Sequence, residues 1–287
     1  MHYKAYKSIL SPQNGMNIYR GCTHGCIYCD SRSVCYQMKH DFEDIEIKTG
    51  APQMLEQELK KRRAKCMIAT GAMTDPYMPL EEKIGYTRGC LQAIDRYGFG
   101  LAIQTKSDLI LRDLDLLKSI HAKAKCVVQM TLTTYDEALC RIVEPNVCTT
   151  KRRFEVLEIL RDNGIPTVVW LCPLLPFIND TEDNLLGILD YCARAKVWGI
   201  LNFGIGVTLR DGDREYFYAA LERHFPGLKD RYHQKYGLRY EIQSDQNETL
   251  MKIFHRECKK HGIAAGNAEV FRFMHTFPQK TEQLSWL

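Results

Sequence analysis

Read for apolar periodicity, the first two hundred residues alternate between two patterns. Short apolar runs fall at 16–19, 65–70, 100–105, 125–133, 166–172 and 199–205. Between them lie longer segments with apolar residues at helical spacing, at 53–63, 86–97, 109–122, 151–163 and 181–197. The first kind reads as buried strands and the second as amphipathic helices. Gly98 and Gly164 follow two of the helices where a C-cap glycine is expected. Thr181 or Asp180 is placed to N-cap another. Such alternation predicts a parallel sheet with right-handed crossovers. Six units are too few for the closed eight-stranded barrel, so the expected fold is α/β, a partial (β/α)6 TIM-like barrel. The polar loops fall at the C-terminal ends of the strands, where such folds build their sites.

After residue 206 the pattern changes. Residues 210–214 form a turn-rich join, helices are expected at 215–225, 227–236 and 249–260, and 267–287 reads as irregular with Phe271, Phe273, Met274 and Phe277 buried. Two domains follow: a barrel over 1–206 and a mostly helical extension over 207–287 that covers the substrate. Residues 1–15 read as an irregular lead-in, and 30–50 as a polar cover over the loop at 21–30.

Composition narrows the class. Hydrophobic residues are 45% and charged residues 26% of the chain, as in an ordinary globular protein. No apolar run is long enough for a membrane span, and the first residues lack the apolar stretch of a secretory signal, so a cytoplasmic protein is expected. A net charge of +4 permits a nucleic-acid partner without requiring one. The basic run at 60–65 suits a helix C-terminus, with a phosphate-contacting patch as the alternative. The basic and aromatic residues at 231–240 fit a solvated amphipathic helix or a surface for single-stranded nucleic acid.

The chemistry concentrates in one stretch. Cys22, Cys26 and Cys29 are spaced C-x3-C-x2-C, with Gly21 before the first, Gly25 before the second and Tyr28 before the third. Three converging thiolates point to a metal or cluster site. A cubane iron–sulfur cluster needs only three cysteines when one iron stays open. The alternative is a zinc knuckle completed by Cys35 or His24. The other nine cysteines are scattered, several within apolar runs, and read as small buried hydrophobes in a reducing compartment.

This cysteine spacing, with an aromatic before the third cysteine, resembles the signature of the radical S-adenosylmethionine superfamily. Further blocks resemble its spore photoproduct lyase-like branch: Asn17-Ile18-Tyr19-Arg20-Gly21-Cys22, Thr74-Asp75-Pro76-Tyr77-Met78-Pro79-Leu80-Glu81, Thr105-Lys106-Ser107, Arg112-Asp113-Leu114-Asp115-Leu116-Leu117, Glu144-Pro145 and the stretch 173–180. The resemblance covers about residues 16–205. It implies that Cys22, Cys26 and Cys29 ligate a [4Fe–4S] cluster whose open iron chelates S-adenosylmethionine. One-electron cleavage then gives a 5′-deoxyadenosyl radical that abstracts a hydrogen atom from the substrate. It also implies an outside electron donor such as flavodoxin or ferredoxin.

By the same resemblance, Tyr28 packs near the adenine, Lys106 holds the methionine carboxylate, and Thr74 and Asp75 line the methionine side. Glu144 and Arg152 are further candidates for cofactor contact. The branch's repair enzymes carry a hydrogen-donating cysteine in the loop after the second strand. Residues 71–75 here contain none, which leaves Cys172, Cys140 and Tyr77 as candidate donors. Nucleic acid is the substrate class the branch implies, with a peptide or small molecule as the alternative. A zinc protein that binds nucleic acid without catalysis is the rival from another class.

Overall fold

The computed structural model describes residues 1–278. Six strands form one parallel sheet in sequence order: β1 (Gly15–Met16), β2 (Met67–Thr70), β3 (Gly100–Thr105), β4 (Cys126–Thr131), β5 (Thr167–Trp170) and β6 (Gly199–Leu201). Every residue of β4 is buried, as expected of a strand covered on both faces. The expected six-unit partial barrel is the fold.

The connecting helices run over Ala51–Lys61, Tyr86–Tyr97, Leu114–Lys123, Thr150–Asp162 and Glu182–Arg194. Each lays an apolar stripe on the sheet; in the first it is Ala51, Leu55 and Leu59. Thr181 proves to be the N-cap of the last, its hydroxyl accepting the Asn184 amide at 3.2 Å. The expected helix at 109–122 begins instead as a 3-10 turn, Asp108–Asp113, that Ser107 caps. The basic run after residue 60 ends a helix, with Arg62 bonded to Asn14 and Lys65 over the Phe99 ring.

The expected first strand divides. Gly15–Met16 stays in the barrel, while Tyr19–Arg20 pairs antiparallel with Glu46–Lys48, which pairs parallel with His2–Lys4. The lead-in and the cover over 30–50 therefore both contain strands, joined in a small outer sheet beside the cysteine loop.

Beyond β6, Gly206–Thr208 and Glu241–Gln243 form an antiparallel pair that brackets helices Asp213–His224 and Leu228–Tyr236. Tyr232 and Tyr236 point inward, and with Val207, Phe217 and Leu221 they share one apolar cluster with Cys26, Ile27 and Tyr28. Helix Asn247–His261 then returns to the barrel core through Leu250, Phe254 and Cys258. The stretch expected to be irregular carries a helix, Asn267–His275, because Val270 and Met274 fall one turn apart and bury against β6. Phe271, Phe273 and Phe277 are half-buried. Residues 279–287 lie outside the described residues.

Candidate active site

The cysteine loop is gripped from two sides. The Cys22 amide donates to Phe42 O at 3.0 Å, and a Cβ at Gly21 would lie 2.3 Å from that oxygen. On the other side Ile27 N donates to Val143 O at 3.0 Å, and Asn146 donates to Thr23 O at 2.9 Å and His24 O at 3.1 Å. Gly25, at φ +71°, faces Pro145 and Asn146, where a Cβ would be crowded. The result is a tight curl that carries three free cysteines, two buried and Cys29 half-exposed.

Cys29 opens onto a cavity of about 880 Å³ at the rim of the barrel. Tyr28, Lys106, Trp170 and Cys172 line its barrel side, and residues 204–208, Lys235 and 243–245 line the opposite wall. Parallel register explains the gathering: β2, β3, β5 and β6 all end at this rim. Lys106 approaches the Tyr28 ring at 5.8 Å. Burial alone would lower its pKa, but the neighbouring Cys26 and Glu144 outweigh burial and hold it raised. Burial pushes the Cys172 thiol up to about 12, so it keeps its proton.

Behind this wall lies a buried ion pair. Arg153 Nη1 meets Glu144 Oε2 at 2.5 Å, both side chains fully buried, and Tyr28 donates its hydroxyl to Glu144. Burial would raise Glu144, yet Arg153 and Lys106 bring its pKa down. Arg153 also donates to Thr131 O at 3.1 Å, while its Nε and Nη2 have no partner. Glu144 is thus committed to Tyr28 and Arg153. Arg152, expected at the site, is turned outward and paired with Asp108 and Glu155. One residue along a helix rotates the side chain by about 100°, and Arg153 is the arginine that faces inward.

Asp75 is committed in a different way. Its Oδ1 accepts Tyr77 N at 2.9 Å and Thr105 Oγ1 at 2.7 Å; its Oδ2 accepts Lys106 N at 2.8 Å and lies 3.5 Å from His24 Nδ1. It therefore ties the 71–81 loop, the end of β3 and the cysteine loop together, and fixes the backbone from which Lys106 reaches the cavity. Thr74 is buried beside Met73, which lines the large cavity. Tyr77 departs from expectation: its hydroxyl donates to Asp113 at 3.1 Å, and it lines a separate cavity of about 610 Å³ with His24, Arg112 and Cys148. It does not face Lys106 or Cys172. Cys140 is buried against Glu144 and lines neither cavity.

Sequence reasoning missed Arg153, Trp170 and Phe203. Trp170 donates to Gln129 at 2.8 Å and stands 6.0 Å from Phe203, a ring 60% exposed at the cavity. For Trp170 and Phe203 the available signal was position at or just past a strand end; for Arg153 it was the inward face of its helix.

Six parallel strands with a three-thiol loop at their rim make a partial α/β barrel with a candidate metal-cluster site. The family model of the radical SAM superfamily matches residues 16–189. The uncharacterized protein Rv2578c of Mycobacterium tuberculosis is 31% identical over 229 residues, 77% of this chain and 66% of that protein. The uncharacterized protein MJ0683 of Methanocaldococcus jannaschii is 31% identical over 169 residues, 58% of this chain and 62% of its own. The chain thus spans just under two thirds of the length of these relatives. Spore photoproduct lyase complexed with dinucleoside spore photoproduct superposes with a TM-score of 0.63 at 12% identity, over 92% of this chain and 80% of that one. At that identity the likeness is one of fold. The chain belongs to the radical SAM superfamily.

Membership implies an iron–sulfur cluster and S-adenosylmethionine, and the residues present fit both. Three thiols on a glycine-freed curl supply the donor set. Without a metal, burial, then Asp75, pushes the Cys22 thiol up to about 12, and burial raises Cys26 as well. A bound cation reverses that shift. Around a single zinc ion the sulfurs would stand about 3.8 Å apart. Among the described residues, the group of three His, Cys, Asp or Glu donors within 4.8 Å of one another is His2, His40 and Asp44, not the cysteines. Cys35 is exposed beside Arg210, and His24 is turned to Asp75. This spacing favours a cluster over a knuckle.

Proposed function

We propose that this radical SAM enzyme binds its cofactor along the barrel side of the 880 Å³ cavity and its substrate against the C-terminal wall. The observation that carries the reading is the juxtaposition of Cys29, Tyr28, Lys106 and Cys172 on one cavity. When bound, the cluster and S-adenosylmethionine supply a 5′-deoxyadenosyl radical for hydrogen-atom abstraction. Lys106 pairs with the methionine carboxylate through a charge-assisted bond. Tyr28, fixed by Glu144 and Arg153, supplies a flat apolar wall for adenine. Asp75 positions Lys106. The C-terminal segment closes the cavity and keeps water from it.

Cys172 is the hydrogen donor in this reading. Once the substrate radical has rearranged or fragmented, the protonated thiol of Cys172 gives a hydrogen atom to the resulting product radical, and an external one-electron donor with a proton restores the thiol. A flavodoxin or ferredoxin is the class of donor that fits. Trp170 and Phe203 offer aromatic faces for a planar ring, with Lys235 and Arg239 opposite. That combination suits a nucleotide base and its phosphate. Asp30, Glu241 and Asp245 also line the cavity, and this balance of charge favours, as the second reading, a zwitterionic small molecule or peptide.

The test is anaerobic reconstitution with iron and sulfide, reduction by dithionite with S-adenosylmethionine, and assay of 5′-deoxyadenosine. Production that vanishes in Cys26→Ala is expected; its absence from the parent protein would overturn the reading. Cys172→Ala is expected to keep deoxyadenosine formation but stop substrate turnover.

A further inference from the structure

The outer sheet beside the cysteine loop carries a second set of metal-type donors that the radical chemistry does not use. His2, on the strand His2–Lys4, and His40 and Asp44, from the segment before Glu46–Lys48, each offer a donor atom within 4.8 Å of the others. The two imidazoles meet edge to face with ring centroids 4.7 Å apart. Their Nε2 atoms both face one oxygen, Glu46 Oε2, at 3.7 Å from His2 and 3.8 Å from His40. These gaps are too long for hydrogen bonds. Two ligands on one tetrahedral zinc, with bonds near 2.0–2.1 Å, stand about 3.4 Å apart. His40 Nε2 is buried and has no hydrogen-bond partner.

The surroundings match what metal ligands need. His2 Nδ1 lies 3.0 Å from Asp44 Oδ2, close enough for both groups to meet one ion. Glu46 is almost fully buried and is held by Tyr6 and by Lys4 at 2.9 Å. Lys4 and the Met1 amine, 2.6 Å from Asp44, are the cations an incoming ion displaces.

We propose that His2, His40 and Asp44, with Glu46 facing both imidazoles, bind one divalent first-row metal ion of the zinc or ferrous class. Two imidazoles and a carboxylate suit these ions better than magnesium or calcium. The ion joins the strand His2–Lys4 to the segment that leads into Glu46–Lys48, whose other neighbour, Tyr19–Arg20, leads directly into Cys22. The site is a staple for the sheet from which the cysteine loop springs, distinct from the cluster.

The test uses tag-free full-length holoenzyme, reconstituted with its cluster, gel-filtered and dialysed against zinc sulfate. Metal analysis is expected to give one zinc per chain in addition to cluster iron. X-ray absorption at the zinc edge should show nitrogen and oxygen neighbours near 2.0–2.1 Å without sulfur near 2.3 Å. His40→Ala and His2→Ala should each weaken zinc binding at least tenfold with iron and sulfide content unchanged. His40→Gln, close in size, serves if the alanine variant does not fold. Zinc binding that is absent from the parent, sulfur-ligated, or unmoved by both histidine substitutions would overturn the proposal.

Discussion

Two cavities flank the loop at 71–81, and they are built from neighbouring residues to opposite ends. In the larger, Lys106, Cys29 and Cys172 present functional atoms to open space. Behind the Arg112 and Tyr77 wall of the smaller, the charged groups already hold one another. Arg112 pairs with Glu81 at 3.0 Å and Asp113 at 2.9 Å, Arg88 pairs with Asp113 at 2.8 Å, and Tyr19 and Tyr77 donate to the same acids. A charged motif beside a cavity therefore marks a wall as readily as a site. What separates the two is whether the polar atoms still lack partners.

The largest effect that tests this contrast is loss of a cluster thiol. Cys26→Ala should bring bound iron and deoxyadenosine production to background, measured by iron analysis and chromatography, while Tyr77→Phe at the smaller cavity leaves both intact. Next comes the pair behind the wall. Arg153→Met strands a buried carboxylate at Glu144 and should cost about 3–5 kcal/mol in denaturant unfolding. Its neighbour Arg152→Met, with half-exposed partners, should change stability by less than about 1 kcal/mol.

Smaller still is the direct comparison of the cavities. Lys106→Met removes a charge-assisted contact and should weaken S-adenosylmethionine binding about 10–100-fold by calorimetry. Tyr77→Phe should leave that affinity unchanged and cost about 1 kcal/mol of stability. If Tyr77→Phe weakened the cofactor as Lys106→Met does, the division between wall and site would collapse.

The smallest effect is a pH dependence in the cover. Burial, with Asp30 nearby, raises the Asp213 pKa from 3.8 to about 7 despite a bond from the Arg210 amide. A carboxyl raised on folding stabilises fully below its unfolded pKa, and that contribution is lost as pH rises through the folded one. Asp213→Asn should therefore flatten the decline in Tm between pH 5 and pH 8 by a few degrees. Parallel profiles for the two proteins would refute the assignment.

The barrel was legible because strands buried on both faces give continuous apolar runs, and the cysteine loop because its spacing is rare. His2–Lys4 and Glu46–Lys48 were not legible: they are three residues each, partly polar, and meet only through long-range pairing. Arg152 and Arg153 are adjacent and chemically identical. Only helical phase separates them, and the inward face is already marked by Val156, Leu157 and Leu160. Asp75 was recognised as important but not for what it holds, because its four contacts come from three separate segments.

The apolar cluster shared by Cys26, Ile27 and Tyr28 with residues 207–242 sets an order of events during synthesis. The thiols leave the ribosome early, while their cover is made about 180 residues later, on the order of ten to forty seconds at ordinary elongation rates. Throughout that interval the cysteine loop lacks its lid. Iron and sulfide would reach the thiols more readily before that cover is made than after it.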